Sequence, residues 1–225
     1  MIKSSVGSRL DAWIHRLFPF VFWVRLDPNA LTVCGALVST VAAWVLASGS
    51  LVAGGLLILL GGFFDLVDGV VARHRGISTR FGAFLDSTLD RWVDMVLLVG
   101  VSVHYARLGE PHHVALAGLT AAMMVLVSYS KARAELVVET IEVGLLERGE
   151  RIGLLAAGAI LDLLTPALWI LWIGSAVTVG QRFALAHREM QRLDAAEPRA
   201  MEEPTHDERR AEEERGRRGD DGRVR

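Results

Sequence analysis

LTVCGALVSTVAAWVLASGSLVAGGLLILLGGFFDLVDG, residues 31–69, carries no charged side chain until Asp65. A helix that spans a bilayer needs about 20 mostly apolar residues. The uncharged runs 31–47 and 51–64 read as the bodies of two such helices, and Ser48-Gly49-Ser50 reads as the tight turn between them. Asp27-Pro28-Asn29 precedes them as a break, where Pro suits a first helical turn and Asn serves as a cap.

The same pattern continues along the chain. Spans are expected over about 31–46, 51–73, 81–105, 114–131 and 151–164, with a sixth opened by Pro166 and ending near Arg182. The fourth is expected to run on as a polar helix toward Glu139. Before the spans, residues 7–26 place Leu10, Trp13, Ile14, Leu17, Val21 and Val24 at helical spacing among Arg9, Arg16 and Arg25. That pattern, rich in Trp and Phe, suits an amphipathic helix lying in the membrane interface. The fold class is therefore all-α, a polytopic membrane protein with six transmembrane helices plus an N-terminal interfacial helix. Three regions follow: residues 1–27 interfacial, 28–189 the membrane domain, and 190–225 a charged tail.

Composition agrees. The chain of 225 residues is 52% hydrophobic with a mean hydropathy of +0.35. A soluble domain of this size needs more polar cover. The net charge is -2; the tail holds 11 acids and 9 arginines, which leaves 15 charges of each sign in the body. No basic excess points to nucleic acid. The tail cannot bury a core and reads as disordered or a loose charged helix. Cys34 is alone and forms no disulfide framework; it reads as a small packing residue. No small-residue cleavage pattern follows a short apolar core, so no cleavable signal peptide is expected.

Orientation follows from basic residues in the short connections. Arg73, Arg75 and Arg80 lie between spans two and three, and Lys131, Arg133, Arg148 and Arg151 between spans four and five. The opposite connections carry only Arg107 and Glu110. Both termini and the two polar loops are expected on the cytoplasmic side of a cell membrane.

Charged residues inside spans are costly and mark function. Asp65 and Asp68 close span two, and Asp86 and Asp90 open span three. Residues three or four apart share a helix face. Asp65, Asp68 and Ala72 thus form one stripe, and Gly82, Asp86 and Asp90 another. A short connection lets the stripes face each other at one depth. Converging carboxylates repel unless a hard divalent cation joins them, and oxygen-only ligation fits Mg2+ or Mn2+. Four aspartates suit two ions. Gly69, Ala72 and Gly82 are small and allow close approach. A cation transporter is the alternative, but it would spread its acids through the membrane depth rather than gather them at one face.

Asp65-x2-Asp68-Gly69-x2-Ala72-Arg73-x8-Gly82-x3-Asp86-x3-Asp90 resembles the signature of the CDP-alcohol phosphatidyltransferases at every fixed position. Pro28-Asn29-x2-Thr32 and the six-span layout extend the resemblance over about 27–187. It implies transfer of a phosphatidyl-type group from a CDP-lipid to an alcohol, with release of CMP. It implies Asp65, Asp68 and Asp86 as metal ligands, and Asp90 as general base and further ligand. Thr32, Asp68, Gly69, Ala72, Arg73 and Gly82 would shape the nucleotide pocket. It also implies a homodimer formed through the membrane helices.

Lys131, Arg133, Arg151 and Arg182 sit at the ends of three helices on the same side as the acids and suit a phosphorylated acceptor. The set is similar to that of phosphatidylinositol phosphate synthases and archaetidylinositol phosphate synthases. In those enzymes the residues matching Lys131, Arg151 and Arg182 hold the phosphate of inositol 1-phosphate. Arg91 after Asp90 fits that branch better than the one using glycerol 3-phosphate. Gly149 departs from the Pro usual in actinobacterial members and suggests a more pliable loop. Asp94, one turn past Asp90, reads equally as a residue that orients a neighbour or as a structural polar residue. His112-His113 reads as a solvated loop on the far side.

Overall fold

The computed structural model describes residues 27–76, 79–138 and 143–196. Among them are six helices: α1 (Pro28–Ala47), α2 (Leu51–Arg75), α3 (Arg80–Leu108), α4 (Pro111–Ala134), α5 (Arg148–Ile160) and α6 (Leu164–Ala196). The interfacial helix expected over 7–26 and the tail beyond 196 lie outside the described residues.

The helix ends follow local chemistry. Asp27, not Asn29, caps α1: its carboxylate accepts from the Asn29 N–H at 3.0 Å, and Pro28 takes the first helical position, where no N–H is needed. Gly49, with φ +97°, makes the turn into α2. Thr79 caps α3 by accepting from Gly82 N–H at 2.9 Å. Gly109 ends α3 in the left-handed region at φ +74°. A capping box of Glu147 and Glu150 starts α5. Gly149 thus lies in the first turn of a helix rather than in a pliable loop.

Several boundaries differ from the expectations. α4 stops at Ala134 and breaks into turns, with Val137 and Val138 N–H both bonded to the Ala134 carbonyl, so the polar extension toward Glu139 does not form over the described residues. α5 ends at Ile160 and α6 begins at Leu164, two residues before Pro166, because Pro is tolerated anywhere in a first turn. α6 then runs past Arg182 to Ala196. His112 and His113 belong to the first turn of α4, not to a loop, and the His113 ring stacks on Tyr105 at 4.8 Å.

Packing closes the helices into a ring. α1 packs on α2 and α3, α2 on α5, α5 on α6, α6 on α4, and α4 on α3. All six contribute to one core that includes Leu46, Ile58, Leu97, Met124, Leu155 and Leu168. α1 comes closest to its neighbours at glycines. A Cβ on Gly35 would lie 3.1 Å from the Gly61 carbonyl, and one on Gly100 would overlap the Ala43 carbonyl. Small residues at such crossings let backbones approach where lipid gives no hydrophobic drive. Gly100→Val is expected to destabilise the protein by about 2 kcal/mol through overpacking against backbone that cannot yield. Gly118→Ala, where a Cβ meets nothing within 4 Å, is expected to be neutral. Thermal unfolding in detergent compares the two; equal melting temperatures would remove the tight crossing.

The outside of the ring is apolar. Leu37 and Trp44 on α1, Leu56 on α2, Val99 on α3, and Trp169 and Ile173 on α6 are all exposed. Exposed apolar side chains of that number belong in hydrocarbon. Cys34 is exposed as well, so it does not pack in the core. Among the described residues, four helices are long and apolar enough to cross a membrane: 28–47, 51–72, 111–134 and 164–195. α3 carries Asp86, Asp90, Arg91 and Asp94 in its first half. α5 has 13 residues, about 20 Å at 1.5 Å per residue. This is a helical membrane protein, with its charged helix halves gathered at one end.

Candidate active site

α2 and α3 are consecutive, yet each packs mainly on α1. Their facing stripes are left free to point into the space between. Ligand-capable oxygens of Asp65, Asp68 and Asp86 all lie within 4.8 Å of one another. The two acidic stripes therefore meet, as their spacing predicts. Oxygen donors alone, from two helices, are the chemistry a hard divalent ion requires, so the residues present fit Mg2+ or Mn2+.

Each acid is held differently. Asp68 is buried, and the Thr32 hydroxyl, 2.6 Å away, donates to it, with the Pro28 carbonyl at 2.9 Å as the alternative acceptor. Asp65 is half-buried and accepts from Arg148 Nη1 at 2.5 Å. Asp90 falls outside the close group of three; its carboxylate pairs with Arg148 Nη2 at 2.8 Å and lies 3.7 Å from Arg91. Asp86 makes no hydrogen bond or ion pair among the described residues.

Three cavities meet around these carboxylates. The first, about 380 Å³, opens between the starts of α1 and α3 and the end of α2. Thr32, Asp68, Gly69, Ala72, Gly82 and Asp86 line it, which brings together the expected nucleotide residues other than Arg73. A Cβ on Gly82 would come within 3.0 Å of Asn29 Oδ1 and Thr79 Oγ1, so glycine keeps that wall open. The Arg73 side chain lies outside what the structure describes.

The second cavity, about 350 Å³, runs into the bundle past Gly35, Ala36, Leu59, Phe63 and Val93. Its mouth carries Asp65, Asp90 and Arg148. Nothing in the sequence separates these apolar lining residues from ordinary core. The third cavity, about 210 Å³, is basic: Lys131, Arg148, Arg151 and Arg182 line it with Asp90 and Asp94. Arg151 and Asp94 are both 3% exposed and pair at 3.4 Å. Arg182 is fixed by carbonyls, donating from Nε to Val143 at 3.0 Å and from Nη1 to Val127. Lys131 lies 3.6 Å from Glu135. Arg133 is exposed and does not line this cavity, because it falls on the outer face of α4.

Arg148 is the residue that sequence reasoning left out of the site. It is one of several arginines in a connection already marked as basic, and nothing in its local spacing sets it apart. Its place at the first turn of α5, opposite Asp65 and Asp90, is a tertiary fact.

The carboxylates thus lie between a polar, an apolar and a basic cavity at one end of a ring of membrane helices. The chain belongs to the CDP-alcohol phosphatidyltransferase family, whose sequence profile matches residues 25–180, and is an enzyme of phospholipid biosynthesis of that class. It is 39% identical over 213 residues to a phosphatidylinositol phosphate synthase of Streptomyces avermitilis, covering 86% of this chain and 87% of that one. It is 37% identical over 165 residues to an archaetidylinositol phosphate synthase of Methanothermobacter thermautotrophicus, covering 71% and 80%. Among solved structures it resembles the Mycobacterium tuberculosis phosphatidylinositol phosphate synthase with CDP-DAG bound, at TM-score 0.67 and 28% identity, covering 81% of this chain and 94% of that one. The same enzyme in complex with manganese and citrate matches at TM-score 0.67 and 28% identity, covering 80% and 88%.

Proposed function

We propose that this enzyme transfers a phosphatidyl group from CDP-diacylglycerol to inositol 1-phosphate, releasing CMP and leaving phosphatidylinositol phosphate. The observation that carries this reading is the meeting of the polar, apolar and basic cavities at Asp65, Asp68, Asp86 and Asp90. In this reading the cytidine diphosphate enters the first cavity, where Gly69, Ala72 and Gly82 leave room for it. The lipid chains stay in the apolar cavity and the bilayer beside it. The acceptor's phosphate lies in the basic cavity against Lys131, Arg151 and Arg182, with Arg133 no longer part of the set. The names of the relatives support inositol phosphate as the acceptor.

Asp65, Asp68 and Asp86 would hold a divalent ion, Mg2+ or Mn2+, with Asp90 beside them for a second. Such ions supply Lewis acidity to the diphosphate and offset the charge of the leaving CMP. Thr32 keeps Asp68 turned toward its partners. Asp90 lines both the apolar and the basic cavities, so it stands where an acceptor hydroxyl meets the lipid phosphorus. As general base it takes the hydroxyl proton as the oxygen attacks.

All six helices span the membrane, with α3 and α5 completing the ring around the shared core. The site end and both termini face the cytoplasm, in line with the basic connections. Residues 28–189 form the catalytic domain, flanked by an interfacial segment and a charged tail, and two copies pair through the membrane helices.

The test is an acceptor screen. Purified protein with CDP-diacylglycerol, Mn2+ and a panel of alcohols is expected to release CMP with inositol 1-phosphate, and mass analysis identifies the lipid product. Lys131→Ala is expected to raise the apparent KM for inositol 1-phosphate about tenfold or more, as loss of a charge-assisted contact would. A product formed only with glycerol 3-phosphate would replace the acceptor assignment. No CMP with any acceptor would end the reading.

A further inference from the structure

The chemistry proposed above leaves Arg148 without a task, yet its guanidinium touches two of the four acids. Nη1 bonds Asp65 of α2 at 2.5 Å and Nη2 bonds Asp90 of α3 at 2.8 Å. Its Nε is buried with no hydrogen-bond partner. Among the described residues the head is held by the two carboxylates, while the capping box of Glu147 and Glu150 fixes the backbone beneath it. A lysine could not do this: only the planar fork offers two parallel donors to carboxylates on separate helices.

Asp65 is at the same time one of the three acids whose oxygens converge within 4.8 Å. The guanidinium bonded to Asp65 Oδ2 draws on the same carboxylate charge that an ion would use. A divalent ion that approaches Asp65 competes with that bond. We propose that Arg148 is a tethered competitor for divalent ions, a built-in cation that clasps Asp65 and Asp90 in the ion-free enzyme and gives up Asp65 when an ion binds. The inference rests on the reading that Asp65, Asp68 and Asp86 form the metal site.

The arrangement has a functional sense. A competitor lowers the affinity of the bare carboxylates for ions. The diphosphate of the donor adds oxygen ligands that tip the balance back. Ion binding is thereby tied to the presence of the nucleotide, and Asp90 is held in place at the wall between the apolar and basic cavities until then.

The experiment is Mn2+ binding to the purified enzyme without any substrate, followed by the electron paramagnetic resonance signal of free Mn2+. Arg148→Gln is expected to bind Mn2+ more tightly than wild type, on the order of tenfold, because it removes both a competing bond and a repelling charge. Arg148→Lys keeps the charge but loses the fork, and is expected to bind about threefold more tightly. It also serves if the Gln variant does not fold. Equal or weaker binding by the variants, with wild type binding normally, would overturn the role of Arg148 and leave the metal site standing. Absence of binding in wild type and in both variants would overturn the metal site itself, and the inference with it.

Discussion

Asp86→Asn is expected to reduce CMP release by about a thousandfold while leaving the fold intact. Loss of a carboxylate ligand removes several kcal/mol of charge stabilisation in the transition state, and about 4 kcal/mol corresponds to three decades of rate. Asp86 is the cleanest of the four to change. Asp68 is bonded to Thr32, and Asp65 and Asp90 to Arg148, so substitutions there disturb protein contacts as well. Asp86 makes no such contact among the described residues, and it faces two other acids. The melting temperature without ions should stay the same or rise, since a repelling charge is gone. Steady-state CMP release and calorimetric Mn2+ titration check both halves. A variant with near wild-type turnover and Mn2+ affinity would remove Asp86 from the site.

The second large effect is one of stability. Asp94→Leu is expected to cost about 3 kcal/mol, because it strands Arg151 as a buried charge whose partner has gone. Both residues are 3% exposed and pair at 3.4 Å. The double variant Asp94→Leu, Arg151→Met is expected to recover much of that loss, since replacing both members of a buried pair by apolar side chains is far milder than removing one. Thermal unfolding in detergent of the two singles and the double closes the cycle. If the double were no more stable than Asp94→Leu alone, the pair would not be the reason for the loss.

What the sequence revealed depended on how local each signal was. The uncharged runs before and after Gly49 mark α1 and α2 because a bilayer demands length and apolarity, both of which can be read along a chain. The acids of α2 and α3 were legible for a similar reason: spacings of three and four residues put side chains on one face whatever the neighbours are. Helix ends were less legible. Whether Asp27 or Asn29 caps α1 depends on which side chain reaches an N–H, and α4 stops at Ala134 without any Gly or Pro to announce it. The basic cavity was legible as charge but not as geometry. Lys131, Arg151 and Arg182 converge and Arg133 does not, although all four sit in equally basic surroundings. Arg148 illustrates the limit most clearly, for its importance comes from carboxylates on α2 and α3 that only the closed ring brings to it.

In the ring α5 lies against α2, so the cation that bridges Asp65 and Asp90 comes from a later part of the chain than the acids themselves. Synthesis from the N-terminus delivers Asp65, Asp68, Asp86 and Asp90 while Arg148 has yet to leave the ribosome. The nascent half-protein therefore holds a cluster of like charges with no counterion from its own later half. The docking of α5 is then more than the addition of another wall, since it brings Arg148 to Asp65 and sets a second cation beside Asp90, which until then has Arg91 near it.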